Sequence, residues 1–115
     1  MHLARLQRSA ALLGWGCDPQ AVERALRAAV PAGPARMRLT LDATGAVEVE
    51  AAGLPPGLAE WRVGLAGVRL DSGDPWLGVK STRRAIYDAA RAGLPAGLDE
   101  VVFQNERGEV CDGTI

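Results

Sequence analysis

Lys80 is the residue best placed for chemistry, within the run Asp74-Pro75-Trp76-Leu77-Gly78-Val79-Lys80-Ser81-Thr82-Arg83-Arg84-Ala85-Ile86-Tyr87. It follows an apolar, turn-rich approach and precedes a helical pattern. Trp76, Leu77 and Val79 are expected to shield its amine from water. Desolvation disfavours an ammonium, and a lysine held neutral can form a Schiff base or act as a general base. A lysine at a loop–helix junction is ordinarily a solvated surface charge. The spacing alone leaves both readings open.

Three other places could take part in chemistry. His2 opens the first helical pattern, where a lone histidine names no site. Arg5, on the same helix, is by default solvated; the alternative is a bidentate hold on a phosphate. Gly113 and Thr114, after Asp112, could offer backbone N–H groups and a hydroxyl to an anion, although two residues do not make a phosphate loop. Cys17 and Cys111 lack metal-ligand spacing and are expected as free thiols. No P-loop, dinucleotide fingerprint, zinc spacing or Ser-His-Asp arrangement occurs, so no metal site is expected.

Composition narrows the class. The 115 residues suit one ordinary domain, and a 48% hydrophobic fraction is enough for a core. Thirteen Lys and Arg against fourteen Asp and Glu leave a net charge of -1, which provides no basic footprint for nucleic acid. Arg83, Arg84 and Arg91 nevertheless form a small local cluster. No apolar run approaches the roughly 20 residues of a membrane span. The opening Met1-His2-Leu3-Ala4-Arg5 is amphipathic and unlike a signal segment, so a cytoplasmic protein without a membrane partner is expected.

The elements that must position these residues follow from periodicity. Leu3, Leu6, Ala10 and Leu13 recur at helical spacing, with Gly14 and Gly16 at the end. Asp18 as N-cap and Pro19 at the first position start a second helix, which carries Val22, Ala25, Leu26 and Ala29 and stops at Pro31 to Pro34. Met37, Leu39 and Leu41 alternate with polar residues. The turn Asp42-Ala43-Thr44-Gly45 then leads to Val47-Glu48-Val49-Glu50, which predicts a hairpin. Trp61, Val63, Leu65, Val68 and Leu70 predict a longer strand. Ile86, Tyr87, Ala89 and Ala90 predict a helical face ending at Gly93 and Pro95. Val101-Val102-Phe103, the turn Asn105 to Gly108 and Glu109-Val110-Cys111 predict a second hairpin. The class is α+β, with residues 1–53 in a small helix-and-hairpin domain, 54–57 a linker, and 58–115 the start of a barrel-like domain with one helix.

Taken together, three segments resemble the class IV aminotransferase family, the fold-type IV enzymes dependent on pyridoxal phosphate. His2-Leu3-Ala4-Arg5-Leu6 with Ser9-Ala10 is similar to its H-x-x-R-L…S-A helix. Lys80-Ser81-Thr82-Arg83-Arg84 with Tyr87 is similar to its K-T-T-x-R-x-x-Y segment. Asp99-Glu100 through Asn105, Gly108 and Val110 resembles its D-E-x-x-x-x-N-x-x-G-x-V hairpin. The lysine and hairpin segments most resemble 4-amino-4-deoxychorismate lyases; branched-chain and D-amino-acid transaminases share the scaffold.

This resemblance implies roles. Lys80 would hold pyridoxal 5'-phosphate as a Schiff base and move protons as the catalytic residue. Arg5 would contact the cofactor phosphate, Thr114 would assist in cofactor binding, and Asp112 would pair with the pyridine nitrogen where the family has a glutamate. Aspartate is one methylene shorter, roughly 1.5 Å of reach. The implied substrate is a small-molecule amine, the implied assembly a homodimer. Family strands expected before the His2 helix, and an asparagine and turns expected past Ile115, lie outside this sequence, which reads as part of the scaffold. A non-catalytic dimerising remnant is the alternative of another class.

Overall fold

Asp18 takes an extended conformation, and its carboxylate accepts the Gln20 N–H at 2.9 Å. With Pro19 at the first position, this sets the start of a helix as the sequence predicts. The computed structural model describes residues 2–115, and the chain divides into two compact units, Met1–Pro56 and Gly57–Ile115.

In the first unit, α1 spans His2–Leu13 and α2 spans Pro19–Ala29. Gly14, at φ +67°, ends α1: its N–H bonds Ala11 O at 3.2 Å, and the Trp15 N–H bonds Ala10 O at 2.9 Å. That is a Schellman closure, which needs a left-handed residue and so favours glycine. Strands β1 (Ala35–Leu41) and β2 (Val47–Gly53) pair antiparallel with Leu39 opposite Val49. Their turn is held by Asp42, whose Oδ1 accepts from the Thr44 N–H, the Thr44 hydroxyl and the Ala46 N–H. These bonds, the Thr44 hydroxyl first, hold the Asp42 carboxyl below its usual range. Helix α2 packs on β2 and contributes Val22, which is fully buried.

In the second unit, β3 (Val63–Leu65), β4 (Glu100–Gln104) and β5 (Val110–Gly113) form one sheet in that order. β3 runs parallel to β4 and β5 antiparallel to it. Helix α3 (Ala85–Ala92) lies between β3 and β4 in the chain and packs on β4. The central strand carries the core: Phe103 is completely buried and Val101 nearly so. Tyr87 of α3 meets Phe103 edge-on, ring centroids 5.0 Å apart, a geometry that aromatic quadrupoles favour.

The long strand expected from Trp61 to Leu70 is broken. Only Val63–Leu65 is strand, and Leu70 rejoins as an isolated bridge to Asn105. From the Leu65–Val102 pair to the Leu70–Asn105 pair, this side advances five residues while β4 advances three. The extra residues leave the ladder around Gly67. At Gly64 a Cβ would stand 2.6 Å from Leu98 Cδ1, so the Leu98 side chain would have to turn aside for a larger residue. Helix α3 also differs from expectation in its inward face. Tyr87 and Ala90 are half-buried, as is Arg84 just ahead of the helix, whereas Ile86 and Ala89 are exposed.

Candidate functional site

A single 3-10 turn, Pro75–Gly78, precedes Lys80. Asp74 caps it by accepting the Trp76 N–H at 2.8 Å. Val79 then leaves in extended conformation and is half-buried. Successive side chains of extended backbone face opposite ways, and Lys80 accordingly is exposed. The expected apolar shield does not form around its amine. Leu77 is exposed too, and the Trp76 ring carries the Arg83 guanidinium at 4.4 Å from its centroid. The helix opens at Ala85, five residues beyond Lys80. In between, the Ser81 hydroxyl accepts the Arg83 N–H at 3.2 Å, a local bond that competes with helix.

The loop feeding this segment is tied to the β4–β5 turn. Leu70 N–H bonds Gln104 O at 2.9 Å, and Arg69 Nη1 donates to Asn105 O at 2.9 Å. Ser72 donates both its N–H and its hydroxyl to the Glu106 carboxylate. Those two bonds, the hydroxyl first, pull the Glu106 carboxyl down to about 2.

Asp112 and Thr114 sit at the end of β5. Asp112 is exposed and lies opposite Phe103 in the ladder, with its Oδ1 accepting the Gly113 N–H. Tyr87 is held above its usual range, first by burial and then by the negative charge of Asp112. Thr114 is buried, and its polar groups are engaged by the chain itself. Its N–H and hydroxyl donate to Glu100 Oε1, and Arg84 Nη2 donates to its carbonyl. Glu100 is buried as well and also accepts the Val101 N–H at 2.8 Å, with Arg91 Nη1 at 3.8 Å. Burial pushes its carboxyl up. The bonds from Thr114 and Val101 and the Arg91 charge outweigh that and hold it below its usual range.

The second unit thus contains Lys80, Asp112 and Thr114, while Arg5 belongs to the first. Arg5 is exposed on α1, with Nη2 at 3.5 Å from His2 Nδ1. The backbone N–H groups of Gly113 and Thr114, read as anion donors, are taken by Asp112 and Glu100. The arginine cluster divides: Arg83 stacks on Trp76, whereas Arg84 and Arg91 reach Thr114. Glu100 was no more than a motif letter in the sequence, because nothing local marks a carboxylate as buried. One overlooked signal was plain. Lys80 is the only lysine, and the other twelve of the thirteen cationic side chains are arginines. Among the described residues no helix is long and apolar enough to cross a membrane, no acidic, histidine or cysteine cluster could hold a metal, and both cysteines are free.

The chain belongs to the class IV aminotransferase family, whose model matches residues 1–115. Its fold is similar to that of a protein from Mesorhizobium loti assigned as an amino-acid aminotransferase, with a TM-score of 0.88 and 42% sequence identity. That match covers 99% of this chain and 57% of the other, so the chain spans little more than half of that protein's length. No curated protein matches the sequence.

Proposed function

We propose that this chain carries the lysine-bearing part of a pyridoxal phosphate-dependent site, acting on a small-molecule amine. The observation that supports the reading best is the single lysine, exposed in the same unit as the exposed carboxylate Asp112. Within the second unit the donors suit the cofactor: a primary amine for its aldehyde and a carboxylate for its ring nitrogen. When bound, pyridoxal phosphate supplies an electron sink for the pair released at the substrate carbon.

Lys80 would hold the cofactor through its amine, and the same amine would serve to take and return a substrate proton. Exposure of Lys80 leaves it open to both partners. Asp112 would keep a proton on the ring nitrogen by its charge. By the family resemblance alone, Arg5 would offer a guanidinium fork to a phosphate. Thr114, with its N–H and hydroxyl on Glu100, serves the site by holding the Asp112 segment.

The reaction we assign is conversion of 4-amino-4-deoxychorismate to 4-aminobenzoate and pyruvate, on the resemblance of the lysine and hairpin segments. A second reading, amino-acid transamination, is favoured by the 42% identity to the Mesorhizobium loti protein. Incubating the chain with pyridoxal phosphate and each substrate separates them. Pyruvate with 4-aminobenzoate supports the lyase, and amino-group transfer to a 2-oxo acid supports the transaminase. A folded chain that takes up no pyridoxal phosphate overturns both and leaves a non-catalytic dimerising module. Light scattering of the same sample tests the homodimer that the family resemblance implies.

A further inference from the structure

We propose that Glu100 is a positioning residue, which fixes the backbone of Asp112-Gly113-Thr114 and thereby where the Asp112 carboxylate points. The proposal rests on the reading of Asp112 given above, and three observations carry it.

The ladder alone does not fix Asp112. β5 lies at one edge of the sheet, and its register with β4 shifts between Phe103 and Gln104. Asp112 pairs with Phe103 and Val110 with Gln104, so Cys111 is the extra residue directly before Asp112. A bulge re-aims the side chain beside it, and a slip by one residue would turn Asp112 to the opposite face.

Something else must therefore hold the end of β5, and Glu100 does so through one oxygen. Oε1 accepts the Thr114 N–H at 3.1 Å, the Thr114 hydroxyl, and the Val101 N–H at 2.8 Å. The same carboxylate lies close beneath Gly113, where an added Cβ would come within 3.4 Å of Oε2. From the other side Arg84 donates to the Thr114 carbonyl, and Arg91 Nη1 reaches Thr114 Oγ1 at 3.4 Å. Thr114 is thus held at its N–H, its hydroxyl and its carbonyl, two residues from Asp112.

Finally, a buried carboxylate is costly for a fold unless it is bonded and paired. Glu100 is 7% exposed, and its bonds converge on the residues after Asp112 and on its own neighbour.

The test needs no cofactor, because Tyr87 is the only tyrosine and its phenol responds to Asp112. The other charges acting on that phenol are Arg84, Cys111 and Asp74. The phenol of the full chain is titrated by carbon NMR of labelled tyrosine, with far-UV circular dichroism to confirm folding. Asp112→Asn calibrates the share of the shift due to Asp112. Glu100→Ala is expected to bring the midpoint down by most of that share, and Glu100→Gln, which keeps an acceptor oxygen for Thr114, to restore it. In the Asp112→Asn background, Glu100→Ala is expected to do nothing more. A folded Glu100→Ala chain with an unmoved midpoint, or one whose effect adds fully to that of Asp112→Asn, overturns the proposal. Should Glu100→Ala not fold, Thr114→Val removes the hydroxyl given to Glu100, and with it the longer contact from Arg91. It must lower the midpoint in the same way, and no change overturns the proposal. Borohydride trapping of pyridoxal phosphate on the same samples separates the two readings. An unlabelled parent chain with intact Glu100–Tyr87 coupling defeats the cofactor reading while the positioning of Asp112 stands.

Discussion

Ser72 donates its backbone N–H at 2.9 Å and its hydroxyl to one carboxylate, that of Glu106, thirty-four residues further along the chain. The contact ties the loop before Lys80 to the turn between β4 and β5. It also makes the loop sensitive to acid. The Glu106 carboxyl is lowered from 4.5 to about 2 by these bonds. A carboxyl depressed in the folded state stabilises above its unfolded value and loses that contribution as pH falls through its folded one. Glu106→Ala is therefore expected to be less stable than the parent near neutrality, with the gap closing between pH 4.5 and about 2. Urea denaturation across that range checks this, and a gap independent of pH counts against it.

Lys80→Ala should leave stability within about 0.5 kcal/mol of the parent, as exposed positions usually do, because Lys80 packs no core. It should also abolish borohydride-stable labelling by pyridoxal phosphate. With one lysine in the sequence, peptide mapping by mass spectrometry distinguishes Lys80 from the chain's N-terminal amine. A parent chain labelled at its N-terminal amine but not at Lys80 removes the role proposed for that lysine.

Arg5→Ala separates a phosphate contact from a structural one. Arg5 is exposed on α1, so its loss should weaken pyridoxal phosphate binding, followed by absorbance titration, more than it lowers the unfolding midpoint. Equal losses in both measurements would mark the arginine as structural.

Phe103→Ala tests the core of the second unit. Phe103 is fully buried and stacks edge-on with Tyr87, so the truncation should cost roughly 3–5 kcal/mol. Leu12, 73% exposed on α1, is the control, and its truncation should cost no more than about 0.5 kcal/mol. Chemical denaturation of both variants checks the contrast.

Features that depend on near neighbours were legible in the sequence. The Asp18-Pro19 start of α2, the Gly14 end of α1 and the Asp42–Gly45 turn each rest on bonds spanning a few residues. Their residue types carry the conformation wherever the chain goes. The family resemblance was legible for the same reason, since its motifs are short strings. Tertiary structure decided the rest. It broke the strand after Leu65, turned Lys80 outward, parted Arg83 from Arg84 and joined Glu100 to Thr114 across fourteen residues. A carboxylate and a threonine have no mutual signature in a linear chain. Only the antiparallel pairing of β5 with β4, in a shifted register, brings them within bonding distance, in a place too dry for either to be left alone.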